Sequence, residues 1–174
     1  STCTSQETPA TMSEREAWFA AHGPQHPVTV AIDENGQVVG WGALSAFHGR
    51  CAYRFTAENS VYVHPDLQRR GIGRAILADL LERARDLGYH VVLAVISADQ
   101  EASVALHRAM GFTEVGRLPE VGYKFNRWLD VVYLQWSTGA TKEPPRKRHQ
   151  PAKQAGDQRG STSVTEKTTG PAAG

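Results

Sequence analysis

The chain has 174 residues, 40% of them apolar, and its 19 Lys and Arg against 18 Asp and Glu leave a formal charge of +1. That suffices for one domain with a single core and some extra length, and the near balance of charge argues for neither a strongly basic nor a strongly acidic partner. No run of about 18 apolar residues occurs and the first residues lack the apolar stretch of a secretory leader, so neither a membrane span nor secretion is indicated and the cytoplasm is expected.

Residues 1–12 show no pattern and are expected to be irregular. Ser13 and Glu16 have capping-box spacing, and Ala17, Trp18, Phe19 and Ala21 give the helix they open an apolar side before Gly23-Pro24 stops it. Residues 28–32 (VTVAI) then read as a strand, Asp33-Glu34-Asn35-Gly36 as a hairpin turn, and 37–45 as the antiparallel partner. After a polar, aromatic-bearing connection at 48–55, residues 58–63 form a third strand that ends at the Pro65 turn.

The run that follows is the most informative in the chain: VYVHPDLQRRGIGR at 61–74, a short apolar strand, a basic glycine loop and the start of a helix. Gly71 and Gly73 let backbone N–H groups approach a pyrophosphate, the helix N-terminus adds partial positive charge, and Arg69, Arg70 and Arg74 add full charges. The loop lacks the Gly-Lys-Ser/Thr of a nucleotide triphosphatase, and a dinucleotide fingerprint would need a third glycine where Ile76 stands. The pattern therefore calls for a phosphorylated anion of another kind.

From 70 to 87 apolar residues recur at 72, 76, 77, 80, 81, 84 and 87, a helical stripe with Gly88 as left-handed cap. Residues 91–96 (VVLAVI) are apolar without alternation, as in a strand covered on both faces, and 101–110 form a second helix closed by Gly111. Strands at 112–118 and 131–136, with a turn at Asn126-Arg127, complete a mixed α/β sandwich over residues 13–138. Beyond it, from 141 on, seven Lys and Arg face three Asp and Glu, net +4, which leaves the rest at 12 against 15, net −3. Residues 139–174 are thus a basic tail too poor in aliphatic residues to fold, and its Arg146-Lys147-Arg148-His149 cluster is read as solvated rather than as a nucleic-acid site. Cys3 and Cys51 fall in no metal-ligand spacing and are expected as free thiols.

The whole run through the glycine loop, with Gln-x-x-Gly-x-Gly after the strand, resembles the acyl-coenzyme A pyrophosphate loop of the GNAT N-acetyltransferase superfamily. Three further segments, AYRFTAENS at 52–60, SVALHRAMGF at 103–112 and VGYKFNRWLDVV at 121–132, resemble its phosphinothricin and methionine-sulfoximine N-acetyltransferase subgroup. The likeness covers residues 12–136. It implies a mixed, largely antiparallel sheet with helices on both faces, shortened at the N-terminus by one strand and one helix, and a homodimer. Two departures stand out: the shortened front, where family members border the acceptor pocket, and Gln100, where the subgroup commonly has Asn. His48 also replaces the lysine of a phosphinothricin-specific relative.

Acetyl transfer from a thioester to an amine needs a neutral amine, a polarised carbonyl and a proton for the leaving thiolate, and no metal. The resemblance makes Glu58 the base, although a strand-end carboxylate has bland explanations too. It makes His107 a proton donor or orienting group, where a lone helical histidine is as readily a packed one. A backbone amide near Val63, where the loop strand leaves its neighbour, would polarise the carbonyl. The acetyl-CoA contacts it implies are Val61, Tyr62, Val63, Gln68, Arg69, Arg70, Gly71, Ile72, Gly73, Arg74, Gln100 and Ser103. Arg50, Tyr53 and Tyr62 would meet a small amino-acid-like amine, while Lys124, Trp128 and Asp130 read as fold or dimer residues. A binding module without acceptor turnover and a protein or peptide N-acetyltransferase remain the other readings.

Overall fold

The computed structural model describes residue 8 and residues 10–139. The expected tail beyond Gly139, the basic cluster and Cys3 lie outside the described residues. The first element, α1 (Met12–Ala20), is capped by Thr11, whose backbone is extended (ψ 163°) and whose hydroxyl accepts from the Glu14 amide while Glu14 reaches back to the Thr11 amide. The expected box at Ser13 and Glu16 is thus displaced by two residues. Both pairs have the required spacing, but Ser13 is already helical, and only an extended residue can cap. Thr11 and Met12 are thus the cap and first residue of this helix. The apolar side expected of this helix is largely exposed, Phe19 at 62%, and only Trp18 is half-buried, edge-on to Trp41.

Strand β1 (Val28–Ile32) turns through Asp33, whose Oδ1 accepts from the amides of Asn35 and Gln37, and through Gly36 at φ +78°, into β2 (Val38–Ala46). Strand β3 (Thr56–Val63) begins two residues earlier than its pattern suggested. Helix α2 (Ile72–Asp86) starts behind an N-cap at Gly71, not at Arg70, and buries Ile76, Leu77, Leu80, Leu81 and Ala84 from its stripe. Then come β4 (Val91–Ser97), α3 (Glu101–Ala109), β5 (Thr113–Lys124) and β6 (Arg127–Ser137).

The last two strands run well past the expected 112–118 and 131–136. Strand β5 lies at the edge of the sheet and is irregular, with register shifts around Val115 and between Leu118 and Gly122, and Glu120 at φ +56°. An edge strand tolerates Pro119 and such bulges, and these are the features that hide its period in the sequence. The turn to β6 uses Phe125 and Asn126, both with positive φ, one residue earlier than expected.

The six strands run in the order β1-β2-β3-β4-β6-β5, and every adjacent pair is antiparallel except β3 with β4. Alternation along β2 separates Gly40, Gly42 and Leu44 on one face from Trp41, Ala43 and Ser45 on the other. Helix α2 lies on the glycine face: a Cβ on Gly42 would sit 2.5 Å from Ile76 Cγ2, and one on Gly40 would sit 2.8 Å from the Tyr62 carbonyl oxygen. The core, around Leu44, Leu77, Leu80, Val92, Val132 and Leu134, fills the space under α2 and the central strands. Among the described residues no helix is long and apolar enough to cross a membrane.

Candidate active site

The parallel pair that brings β3 beside β4 is short. Thr56 pairs with Val91, Ala57 with Val92 and Glu58 with Leu93, and there the ladder ends. Strand β4 continues against β6 to Ser97, while β3 continues against β2 to Val63, so the two strands open into a wedge. The fork lies at Glu58, five residues before the Val63 neighbourhood expected from the sequence. A strand edge that has lost its partner presents unpaired N–H and C=O groups, which suit an amide-bearing arm laid along it like an added strand.

A cavity of about 640 Å³ occupies this wedge. Its walls include Glu58 and all of 59–63 from β3, residues 94–97 of β4, parts of the glycine loop and α2, one side of α3, and Gly122, Tyr123 and Lys124 of β5. Of the expected coenzyme contacts, Val61, Tyr62, Val63, Gln68, Arg69, Gly71, Gly73, Arg74, Gln100 and Ser103 line it. Arg70 and Ile72 do not: Arg70 is exposed, and Ile72 packs toward Gly40.

The loop fits a diphosphate by its backbone. Gly71 has φ +85°, a conformation an L side chain strains, and Arg69 adopts φ +61°. The first amide of α2 held by its own helix is that of Ala75, on the Gly71 carbonyl, so the preceding amides have no intrahelical acceptor. Gly73 has another reason: its Cβ would lie 3.2 Å from Leu106 Cδ2, where α2 begins against α3. With Arg69 and Arg74 beside these amides, this end of the cavity is cationic.

Glu58 stands at the other end, roughly 17 Å along β3 at 3.3 Å per residue. It is half-buried, and burial raises its carboxyl above the ordinary range, making it a stronger base than an exposed glutamate. His107 lines the cavity but is almost wholly buried, with Phe112 edge-on to its ring. Its Nδ1 lies 2.8 Å from the Ser103 carbonyl oxygen and its Nε2 lies 3.0 Å from Asn59 Oδ1. Burial lowers its affinity for a second proton, and the Ser103 carbonyl offsets this only in part. Gln100, the N-cap residue of α3, makes a long 3.5 Å contact to Asp99.

The expected acceptor residues part company. Tyr62 lines the cavity and stacks on Trp41 at 4.5 Å, whereas Arg50 and Tyr53 lie outside its wall, with Tyr53 41% exposed beside His48 and Phe47. Conversely, Asn59, Leu106 and Lys124 line it though none had been given a role there. Lys124, assigned to the fold or a dimer, is buried, as is Asn59; Trp128 is exposed, and Asp130 accepts from the Glu120 amide. The signal for Asn59 was its place between Glu58 and Ser60 in a strand that must bury every second side chain.

Comparison with known proteins agrees with this geometry. Residues 1–112 match the Acetyltransferase (GNAT) family. An L-methionine sulfoximine/L-methionine sulfone acetyltransferase of Pseudomonas paraeruginosa is 41% identical over 140 residues, 80% of this chain and 81% of the relative. A GNAT superfamily phosphinothricin acetyltransferase from Sinorhizobium meliloti, solved in complex with AcCoA, superposes with TM-score 0.78 at 39% identity over 83% of this chain and 80% of that one. A ribosomal-protein-alanine N-acetyltransferase from Brucella melitensis gives TM-score 0.74 at 41% identity over 78% and 83% of the two chains. The chain belongs to the GNAT acetyltransferase family and is an N-acetyltransferase whose co-substrate is acetyl-CoA.

Proposed function

We propose that the enzyme acetylates the α-amine of a small amino-acid-like acceptor of the methionine sulfoximine, methionine sulfone or phosphinothricin type, by direct attack in a ternary complex. The observation that carries this is the placement of Glu58: a half-buried carboxylate at the fork of the wedge, with the cationic glycine loop at the far end of the same cavity. Acetyl-CoA supplies the activated acetyl group. The loop amides at 69–74, with Arg69 and Arg74, hold its diphosphate, and the open edge of β3 takes its amide-bearing arm and polarises the thioester carbonyl.

An α-amino group with a pKa of about 8 is mostly protonated at neutral pH, and an ammonium cannot attack a carbonyl. Glu58 removes that proton directly or through a water, and its raised proton affinity brings it closer to the amine it must deprotonate. As nitrogen bonds to the carbonyl carbon and the carbon–sulfur bond breaks, the second N–H proton leaves with the thiol, so no covalent enzyme intermediate is needed. Tyr62 belongs to the acceptor side on the face it shares with Glu58 and Ser60, and Lys124 offers a cation for an acidic group of the acceptor. The role proposed for Arg50 and Tyr53 is a contact from the mouth, since neither lines the cavity.

The same proposal includes a homodimer, supported by Val115, Leu118, Val121, Phe125 and Trp128, which leave a broad apolar surface on β5 and its hairpin. Residence in the cytoplasm is supported by the co-substrate, which is made and used there, and by the exposed free thiol of Cys51. The test is acetyl-CoA-dependent thiol release with methionine sulfone, methionine sulfoximine, phosphinothricin and an alanyl peptide as acceptors. Thiol release with the amino-acid analogues supports the reading. Release with the peptide alone favours a protein substrate, in keeping with the Brucella relative, and calorimetric binding of acetyl-CoA with no acceptor-dependent thiol leaves a binding module.

A further inference from the structure

Asn59 is the first residue of β3 beyond the last rung of the β3–β4 ladder, and its side chain is 6% exposed on the face opposite Glu58. Its Nδ2 donates to the Leu93 carbonyl oxygen at 3.0 Å, the carbonyl of the residue that closes that ladder on β4. A carbonyl can only accept, so the amide nitrogen must face Leu93 and Oδ1 must face His107; the orientation follows from the partners rather than from an arbitrary choice of atom. His107 belongs to α3, and its other ring nitrogen meets the Ser103 carbonyl one turn back. Three separate elements, β3, β4 and α3, are thus tied by one carboxamide at the point where the wedge opens.

We infer that Asn59 is the positioning residue of the fork: its carboxamide replaces the backbone rung that β3 and β4 no longer make and, through His107, fixes α3 against the opening. The inference rests on the acetyltransferase reading of this cavity and deepens it. Helix α3 forms one wall with Ser103, Leu106 and His107, and Leu106 abuts the start of α2 at Gly73. A shift of α3 therefore changes the width of the wedge and the seat of the glycine loop together. Hydrogen bonds between buried groups of separate elements hold those elements in one arrangement, and Asn59 and His107 are both buried here. Both ring nitrogens of His107 face protein oxygens, and a neutral ring has one proton to give: the strut requires it on Nε2, toward Asn59 Oδ1. The proton-donor role that the family resemblance suggested for it would require breaking one of these contacts.

The test pairs coenzyme affinity with the state of the His107 ring, so that it reads the same whether or not any acceptor is turned over. Asn59→Ala is expected to weaken calorimetric acetyl-CoA binding by about tenfold or more, and Asn59→Ala/His107→Ala to be no weaker than the worse single variant, because the two residues act as one unit. Nitrogen-15 NMR of the wild-type histidines should show an exchange-protected proton on His107 Nε2, lost in Asn59→Ala. Asn59→Asp keeps the volume and the acceptor for His107 but cannot donate to Leu93; it should retain the Nε2 proton and still lose coenzyme affinity, and it decides the matter if the alanine variant does not fold. Unchanged acetyl-CoA affinity in a folded variant, multiplicative losses in the double variant, or an unprotonated Nε2 in the wild type would overturn the inference. Failure of all acceptors with these outcomes intact would instead count against the proposed function.

Discussion

The glycine-loop end of the cavity is walled mainly by residues close in sequence, Val61, Tyr62, Val63, Gln68, Arg69, Gly71, Gly73 and Arg74, whereas the fork is assembled from Glu58 and Asn59 on β3, Leu93 on β4 and His107 on α3. In the proposed function main-chain amides meet the diphosphate at the first end, and side chains matter there for what they omit: Gly71 for its left-handed φ, Gly73 for its approach to Leu106. At the second end the proposed function assigns the chemistry to side chains, and the hydrogen-bonded pair Asn59 and His107 are 48 residues apart in the chain. The contrast teaches that substitutions at the two ends should separate binding of the co-substrate from chemistry.

The sharpest test of that separation is Glu58→Gln, which should lower kcat by about 10²–10⁴-fold while leaving acetyl-CoA affinity nearly unchanged, as steady-state kinetics beside calorimetry would show. Its stability should move the other way. Burial raises the carboxyl of Glu58, so its contribution is greatest below the ordinary glutamate value and is lost as pH rises through the raised one. At neutral pH the glutamine variant should therefore melt no lower than the parent, and a clear drop would mean that the carboxylate also holds the fork together.

A substitution beneath both ends should blur the contrast. Gly42→Ala places a methyl 2.5 Å from Ile76 Cγ2, 2.9 Å from Leu80 Cδ1 and 3.0 Å from the Ser60 carbonyl oxygen. It should cost about 1–3 kcal/mol of stability, seen as a lower melting temperature. Because α2 and β3 both shift, coenzyme affinity and kcat should fall together, and a loss confined to one of them would break the picture of a shared foundation.

Gly71→Ala addresses the loop alone. Nothing stands within 4 Å of the added methyl, so the effect comes from φ +85°, at about 1–2 kcal/mol. Acetyl-CoA binding should weaken while kcat at saturating co-substrate stays close to that of the parent. The smallest effect expected is in pH. His107 has a lowered proton affinity, so its contribution to stability is complete above its ordinary 6.5 and is lost as pH falls toward the depressed folded value. Melting curves between neutral and mildly acidic pH should show that decline in the parent and less of it in His107→Gln.

Much of this was legible in the chain because it is local. The strand, loop and helix of 61–86 read from a short apolar run, two glycines and a stripe with helical period, and the sheet's central strand from an apolar run without alternation. The errors have local causes as well. Two overlapping capping pairs competed at the N-terminus, and only backbone geometry chose Thr11; Pro119, Glu120 and the bulges of β5 broke the alternation that would have announced a twelve-residue strand. Arg50 and Tyr53 stand outside the cavity wall, and the contact proposed for them is made from its mouth.

By itself, then, the sequence determined the elements and the glycine loop whose shape suits an anion, since main-chain geometry depends on a few residues in a row and on where small side chains permit a close approach. The tertiary structure decided where β3 and β4 part, that Asn59 and His107 meet there, and that Lys124 faces the cavity. Those outcomes depend on register and packing between segments far apart in the chain, and register is set by burial of whole faces at once, a quantity no short stretch of residues contains.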